Sequence, residues 1–491
     1  MTDQASQQQP QQQPQRTFFG HPWGLANLFG IEVWERFSFY GMQAILIYYL
    51  YYSVAQDGLG LPQATATSMV GAYGGLVYLT TILGAWVADR LLGSERTLFY
   101  SGVLIMVGHI SLAVLGGLSG VAVGLICVGV GSGALKANTT SLLGSLYKEG
   151  DRRRDGGFSI FYMGINIGAL AGPLLTGLAQ TRLGFHYGFG LAAIGMAIGL
   201  GQYAIGRKNL RTAGGREVPN PLPRSGIPRA ALVAVVGVAV IVVAFATGVV
   251  TLANLARVVT GLIVVASVVL FVVILISPHI SPTERSRVFA FIPMFIASFA
   301  FFAIFQQIFT VIAIYAQQRV DLTVGGFSVP PAWAQSVDPV GIIIFAPVFA
   351  ALWTKLGDRQ PSTPIKFALG LLGIGVSFLL FLPMAGGDGR TSPALAVGGI
   401  LVLFSIAELM LSPIGLSLST QLAPRVFRTQ MVALNFLSIA AGTAAAGTLA
   451  GYYTPANELT YFGITGGIAV VLAVLLAASS RWIRAMMRGV P

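Results

Sequence analysis

The sequence predicts an all-α polytopic membrane protein with fourteen transmembrane helices, arranged as two six-helix bundles with two further helices inserted between them. Three observations carry that prediction. The 491 residues are 55% hydrophobic and 9% charged, with a mean hydropathy of +0.76, which is too apolar for a soluble domain. The apolar runs last about twenty residues with helical periods, whereas an outer-membrane barrel would alternate over about ten. Taken along the chain, the runs fall into groups of six, two and six.

Residues 1–20 are a polar, glutamine-rich tail, expected to be disordered and cytoplasmic, with no cleavable signal peptide. Apolar runs near 25–52, 68–88, 97–118, 121–146, 158–180 and 187–206 make an amino-terminal bundle over 21–206. A basic linker with four prolines, 207–228, opens the segment 207–287. Its two apolar runs, about 230–250 and 257–277, contain no acidic residue and suggest peripheral packing helices. Runs near 288–316, 336–356, 364–385, 396–421, 430–452 and 460–483 make the carboxy-terminal bundle over 288–491.

The net charge of +12 is scattered between spans, so it reads as a topology signal and not as a nucleic-acid surface. With both termini inside, Arg36 and Lys136 fall within spans, and Arg182, Arg257, Arg319 and Arg390 fall outside. The other 23 of the 29 basic residues face the cytoplasm, a strong positive-inside bias. The lone cysteine, Cys127, excludes an intramolecular disulfide. Asp89-Arg90 follows the second span, and Asp358-Arg359 follows the eighth bundle helix. Such a pair at a tight cytoplasmic turn suits gating, because it can bridge two helix ends until the halves rock.

The chemistry concentrates in a few intramembrane charges. On a helix, Glu32, Glu35, Arg36, Phe39, Tyr40 and Gln43 share one stripe. A charge near the bilayer centre costs at least about 2.5 kcal/mol, so this stripe belongs on a hydrated cavity with Arg36 neutralising a carboxylate. Two carboxylates three residues apart cannot both ionise cheaply in a partly dehydrated site. Lys136, among small residues, must find an anion, and the first-helix pair is the expected one. Glu408 has no base in its own span, so it is protonated or waits for a cation such as an ammonium. A cavity cationic on one half and anionic on the other fits a zwitterion. Tyr78 could line it, whereas Tyr73 and Tyr162 are assigned to packing. His109 is assigned a helix-packing hydrogen bond. No His-Glu-x-x-His motif or Gly-x-Ser-x-Gly elbow occurs, which argues against an enzyme.

Glu32-Val33-Trp34-Glu35-Arg36-Phe37-Ser38-Phe39-Tyr40-Gly41 resembles the first-helix signature of the proton-dependent oligopeptide transporters, within the major facilitator superfamily. Phe161-Tyr162-Met163-Gly164-Ile165-Asn166-Ile167-Gly168 is similar to that family's fifth-helix signature. The resemblance runs from His21-Pro22 to the last helix and takes in Asp89, Lys136 and Glu408 before Ser412-Pro413. It implies the major facilitator fold and proton coupling at Glu32, Glu35, Arg36, Lys136 and Glu408. It also implies peptide contacts at Tyr40, Tyr78 and Asn166, with Lys136 near the peptide carboxylate and Glu408 near its amino group.

Several positions depart from the family pattern. Gln43 and Gln306 stand where many members pair a base with an acid, so a hydrogen bond between the two amides is expected to replace a salt bridge. Phe39 replaces a common tyrosine, Asp338 replaces the asparagine of an Asn-Pro, and Asn435 replaces a frequent tryptophan. The reading is a monomeric symporter of the bacterial inner membrane, importing di- and tripeptides by alternating access. It needs no metal or organic cofactor and is driven by the proton gradient. The alternatives are a transporter of the same fold for another zwitterionic or drug-like substrate, and a peptide sensor that does not transport.

Overall fold

The computed structural model describes residues 17–148, 151, 153–211, 216–324, 326–387 and 389–490. Residues 1–16 of the expected tail lie outside the described residues, and Thr17–Phe18 pairs with His21–Pro22 in a short antiparallel hairpin. The first half consists of α1 (Gly24–Tyr51), α2 (Gln63–Val87, extended by one π-turn Ala88–Leu92), α3 (Ser94–Val114), α4 (Gly117–Ser145), α5 (Arg154–Leu183) and α6 (Phe185–Gly206). The inserted pair is α7 (Ile227–Ala246) and α8 (Leu255–Ile276). The second half begins with α9, Pro282–Phe305 continued through a 3-10 turn to Val311–Arg319, and α10 (Val337–Leu356). It continues with α11 (Thr363–Leu379), α12 (Ala394–Leu409 and Ser412–Gln421), α13 (Arg428–Ala450) and α14 (Glu458–Met487).

Thirteen helical segments among the described residues are long and apolar enough to cross a bilayer. α1, at 28 residues, has the length but carries Glu32, Glu35, Arg36 and Gln43, which lower its hydropathy. The periods place every expected span. They do not show that two spans break, at Gln306–Thr310 in α9 and at Met410–Leu411 in α12.

Packing follows small residues. Within the first half α1 lies against α5 and α6, and α3 against α4 and α6; within the second, α11 lies against α14, α9 against α13, and α10 against α12. A Cβ at Gly168 of α5 would come within 2.3 Å of the Val33 carbonyl and 2.8 Å of the Arg36 Cβ. The fifth-helix glycines thus let α5 seat directly under the charged turn of α1. Gly168→Ala is expected to push the helices apart at a cost of about 1–3 kcal/mol, seen as a lower apparent Tm of the detergent-solubilised protein. An unchanged Tm would show that the crossing has slack.

The halves meet along α2 and α13, where a Cβ at Gly71 would sit 2.5 Å from the Gly447 Cα. α8 lies beside both helices, and its Ala256 N–H donates to Ser68 Oγ at 3.0 Å. α7 has no buried residue. At the end carrying the 52–62 connection the halves are sealed. Tyr48 Oη donates to the Ala313 carbonyl at 2.9 Å and Tyr51 Oη to Gln317 Oε1 at 2.9 Å. Trp333 Nε1 donates to the Leu174 carbonyl at 2.9 Å and Ser336 Oγ to that of Leu170 at 3.1 Å. Toward the end carrying the 88–93 turn the walls part, and Tyr162 and Leu416 are 46% and 43% exposed.

Candidate functional site

Between the halves lies a cavity of about 300 Å³, lined from the first half by α1, α2, α4 and α5 and from the second by α9, α10, α12 and α13. α1 turns Glu32, Arg36, Phe39, Tyr40 and Gln43 onto it, as the one-stripe spacing requires. Glu35 shares the stripe but sits behind Arg36 and is fully buried. Arg36 Nε donates to Glu32 Oε1 at 2.8 Å and lies 3.0 Å from Glu35 Oε2, so one guanidinium serves both acids.

That arrangement corrects the expectation for Lys136. Arg36, one turn along the same helix, already occupies the first-helix carboxylates. No ion pair reaches Lys136 among the described residues, and its Nζ lies 4.5 Å from the centroid of the Tyr78 ring. The ammonium is therefore held on a π face in the cavity wall with its charge uncommitted.

Opposite, Glu408 and Asp338 line the second-half wall. The Glu408 carboxyl has no hydrogen bond or ion pair among the described residues, although its main-chain carbonyl accepts from the Leu411 N–H at 3.0 Å. Asp338 Oδ1 accepts from Ser405 Oγ at 2.9 Å. Aromatic rings shape the cavity: Tyr40 stacks across the halves on Phe309 with centroids 6.2 Å apart, and Phe39 is backed within the first half by Tyr73 at 6.1 Å. Asn166 donates to the Tyr162 carbonyl at 2.9 Å and, like Asn435 on α13, faces the cavity.

Gln43 and Gln306 both line the cavity, but no hydrogen bond joins them. α1 and α9 meet further toward the sealed end, through Tyr48 and Ala313. Its neighbour Gln307 turns away and accepts from Tyr461 Oη at 2.7 Å.

The turn residues are arranged differently from the expected lock. Asp89 is exposed, and neither Asp89 nor Arg90 forms a side-chain ion pair among the described residues. The linker fixes this turn through main chain instead, as Asn220 N–H donates to the Asp89 carbonyl at 3.0 Å and Leu222 N–H to that of Arg90 at 2.9 Å. The buried acid here is Glu95, 2.5 Å from Arg207 Nε and 3.4 Å from Arg216 Nε. The side chain of Asp358 lies outside the described residues; Arg359 ends the turn Gly357–Arg359.

Some cavity residues escaped the sequence reading. Tyr162 lines the wall and does not pack between helices; its position four residues before Asn166, on the same helix face, was the available signal. Gln335 and Thr140 also line it, with no comparable signal. Arg319, assigned to an outer loop, is 5% exposed and lies 3.1 Å from Glu458 Oε1. His109 is fully buried with neither ring nitrogen hydrogen-bonded, so the bond expected of it is not made.

Comparison with known proteins places this geometry. The POT family profile matches residues 95–465. The transporter YclF of Bacillus subtilis (strain 168) is 44% identical over 480 residues, 97% of both chains. A di-/tripeptide transporter of Lactococcus lactis subsp. cremoris is 41% identical, covering 94% of this chain and 96% of its own. Among solved structures, a peptide transporter POT in complex with sulfate superposes with a TM-score of 0.93 at 47% identity, covering 97% of this chain and 98% of its own. A POT family transporter in complex with 5-aminolevulinic acid superposes with a TM-score of 0.89 at 38% identity, over 96% and 98%. A fourteen-helix membrane chain whose profile match and whole-length relatives agree in this way belongs to the POT family.

Proposed function

We propose that the protein is a proton-coupled symporter that imports di- and tripeptides across the plasma membrane, working as a monomer with both termini in the cytoplasm. The observation that carries this is a single cavity with an uncommitted ammonium, Lys136, on one wall and two acids without a base, Asp338 and Glu408, on the other. A short peptide spans such walls with its carboxylate toward Lys136 and Arg36 and its ammonium toward Glu408. The names of the Lactococcus and Erwinia relatives, a di-/tripeptide transporter and a dipeptide and tripeptide permease, support the same cargo.

The basic connections lie at the end where the walls part, so the cavity opens toward the cytoplasm. Import then begins from the opposite arrangement, with the 21–206 and 288–491 bundles rocking about the α2–α13 crossing. A proton on the Glu32/Glu35 pair lets those acids release Arg36 to the peptide carboxylate, a proton on Glu408 leaves as that carboxyl takes the peptide ammonium, and peptide binding thus changes which acid holds the proton. Asp89, Arg90, Asp358 and Arg359 lie on turns that must shift as the cytoplasmic end closes.

Moving one charge through 100 mV supplies about 2.3 kcal/mol, or about fiftyfold accumulation. Purified protein in liposomes, given an acid exterior and a negative interior, is expected to concentrate a labelled dipeptide, and a protonophore is expected to abolish the effect. No gradient-dependent uptake across a panel of dipeptides would overturn the proposal. The relative solved with 5-aminolevulinic acid supports a second cargo, another small zwitterion, and competition by that compound in the same assay separates the two.

A further inference from the structure

The second-half wall holds two carboxyl groups, one more than a peptide amino terminus can pair with. Asp338 and Glu408 both line it, and the lining cations, Arg36 and Lys136, stand on the opposite wall. Arg36 is committed to Glu32 and Glu35. α10 and α12 hold the two acids on adjoining turns, because a Cβ at Gly341 would come within 2.3 Å of Ser405 Oγ. The same Ser405 hydroxyl fixes the Asp338 carboxylate.

One turn before Asp338, Gln335 is 4% exposed and lines the same cavity, yet neither its amide oxygen nor its nitrogen has a hydrogen-bond partner. A buried primary amide without partners is costly unless a ligand completes it. A zwitterionic peptide brings one ammonium, and if Glu408 takes it, Asp338 stays unneutralised beside that amide.

We propose that Asp338 and Gln335 form a subsite for a second cationic group carried by the first residue of the substrate, so that the transporter prefers peptides beginning with lysine or arginine. The charged tip meets the carboxylate and the Gln335 oxygen, while its methylenes lie along Pro339 and Ile342 of the same wall. This rests on the peptide reading above.

The test is counterflow of labelled alanyl-alanine in liposomes containing the full-length protein, with unlabelled alanyl-alanine, lysyl-alanine and alanyl-lysine as competitors. For the unaltered protein, lysyl-alanine is expected to compete about tenfold better than alanyl-alanine, and alanyl-lysine no better. Asp338→Asn is expected to bring that ratio close to one, Asp338→Glu to keep it, and Gln335→Ala to lower it. Equal competition by the three peptides, or a ratio that survives Asp338→Asn, would overturn the subsite. If Asp338→Asn does not insert, the ratio in Gln335→Ala decides. Absence of counterflow and of competition by every peptide would instead remove the peptide reading itself, a result distinct from equal competition.

Discussion

Arg36→Ala is expected to abolish transport and to cost more stability than any other single change in the cavity wall. The guanidinium lies within 3.0 Å of two carboxylates, and Glu32 and Glu35 are 1% and 0% exposed. Removing one partner of a buried ion cluster typically costs about 3–5 kcal/mol, because the remaining charges are left without compensation. Lysine at this position should rescue little, since a compact ammonium cannot serve two separate oxygens as a planar guanidinium does. The cause is tested by adding Glu32→Gln and Glu35→Gln to Arg36→Ala. That triple variant should regain most of the lost Tm while still failing to accumulate peptide against a gradient. If Arg36→Ala alone melts like the unaltered protein, the cluster is hydrated and the assignment fails.

The second large effect is expected at the uncommitted charges. Lys136→Ala leaves Tyr78 facing an empty wall but breaks no ion pair among the described residues, so folding should survive. Gradient-driven uptake is expected to fall by about a hundredfold or more, in line with the loss of a charge-assisted contact worth about 3 kcal/mol. Glu408→Gln likewise removes a carboxyl that no neighbouring side chain needs. Driven uptake and counterflow divide the roles. Loss of driven uptake with counterflow retained assigns a residue to coupling, and loss of both assigns it to binding. Full driven uptake in either variant would refute the two-wall description of the site.

The sequence carried the fold because bilayer spans are written in composition: an apolar run of about twenty residues has little choice but to be a helix. It also carried the intramembrane charges, which stand out against hydrocarbon for the same reason. Which charge pairs with which was less legible. Lys136 and Arg36 are both cations on paper; the spacing within α1 gave Arg36 its carboxylates, but nothing in the sequence showed that Lys136 would be left on the Tyr78 ring instead of sharing them. Gln335, in a short 3-10 turn leading into α10, belongs to no apolar stripe, so nothing in its neighbourhood marked it as facing the cavity. The break in α9 was equally silent, since no glycine or proline lies between Gln306 and Thr310, whereas Pro413, which cannot donate to the Leu409 carbonyl, marks the break in α12.

The hydrogen bonds at the closed end come from neutral donors, with one cation–π contact, Arg182 over the Phe327 ring at 5.8 Å, beside them. Two tyrosine hydroxyls, a serine hydroxyl and an indole N–H meet carbonyl and amide oxygens, and the nearby Gln43 and Gln306 carry no charge. Contacts of this kind are insensitive to dissolved ions, unlike a latch of opposite charges, which weakens once the Debye length shrinks to about 10 Å at 0.1 M. Raising external sodium chloride is therefore expected to leave these closing hydrogen bonds, and their part in the rate of outward opening, nearly unchanged.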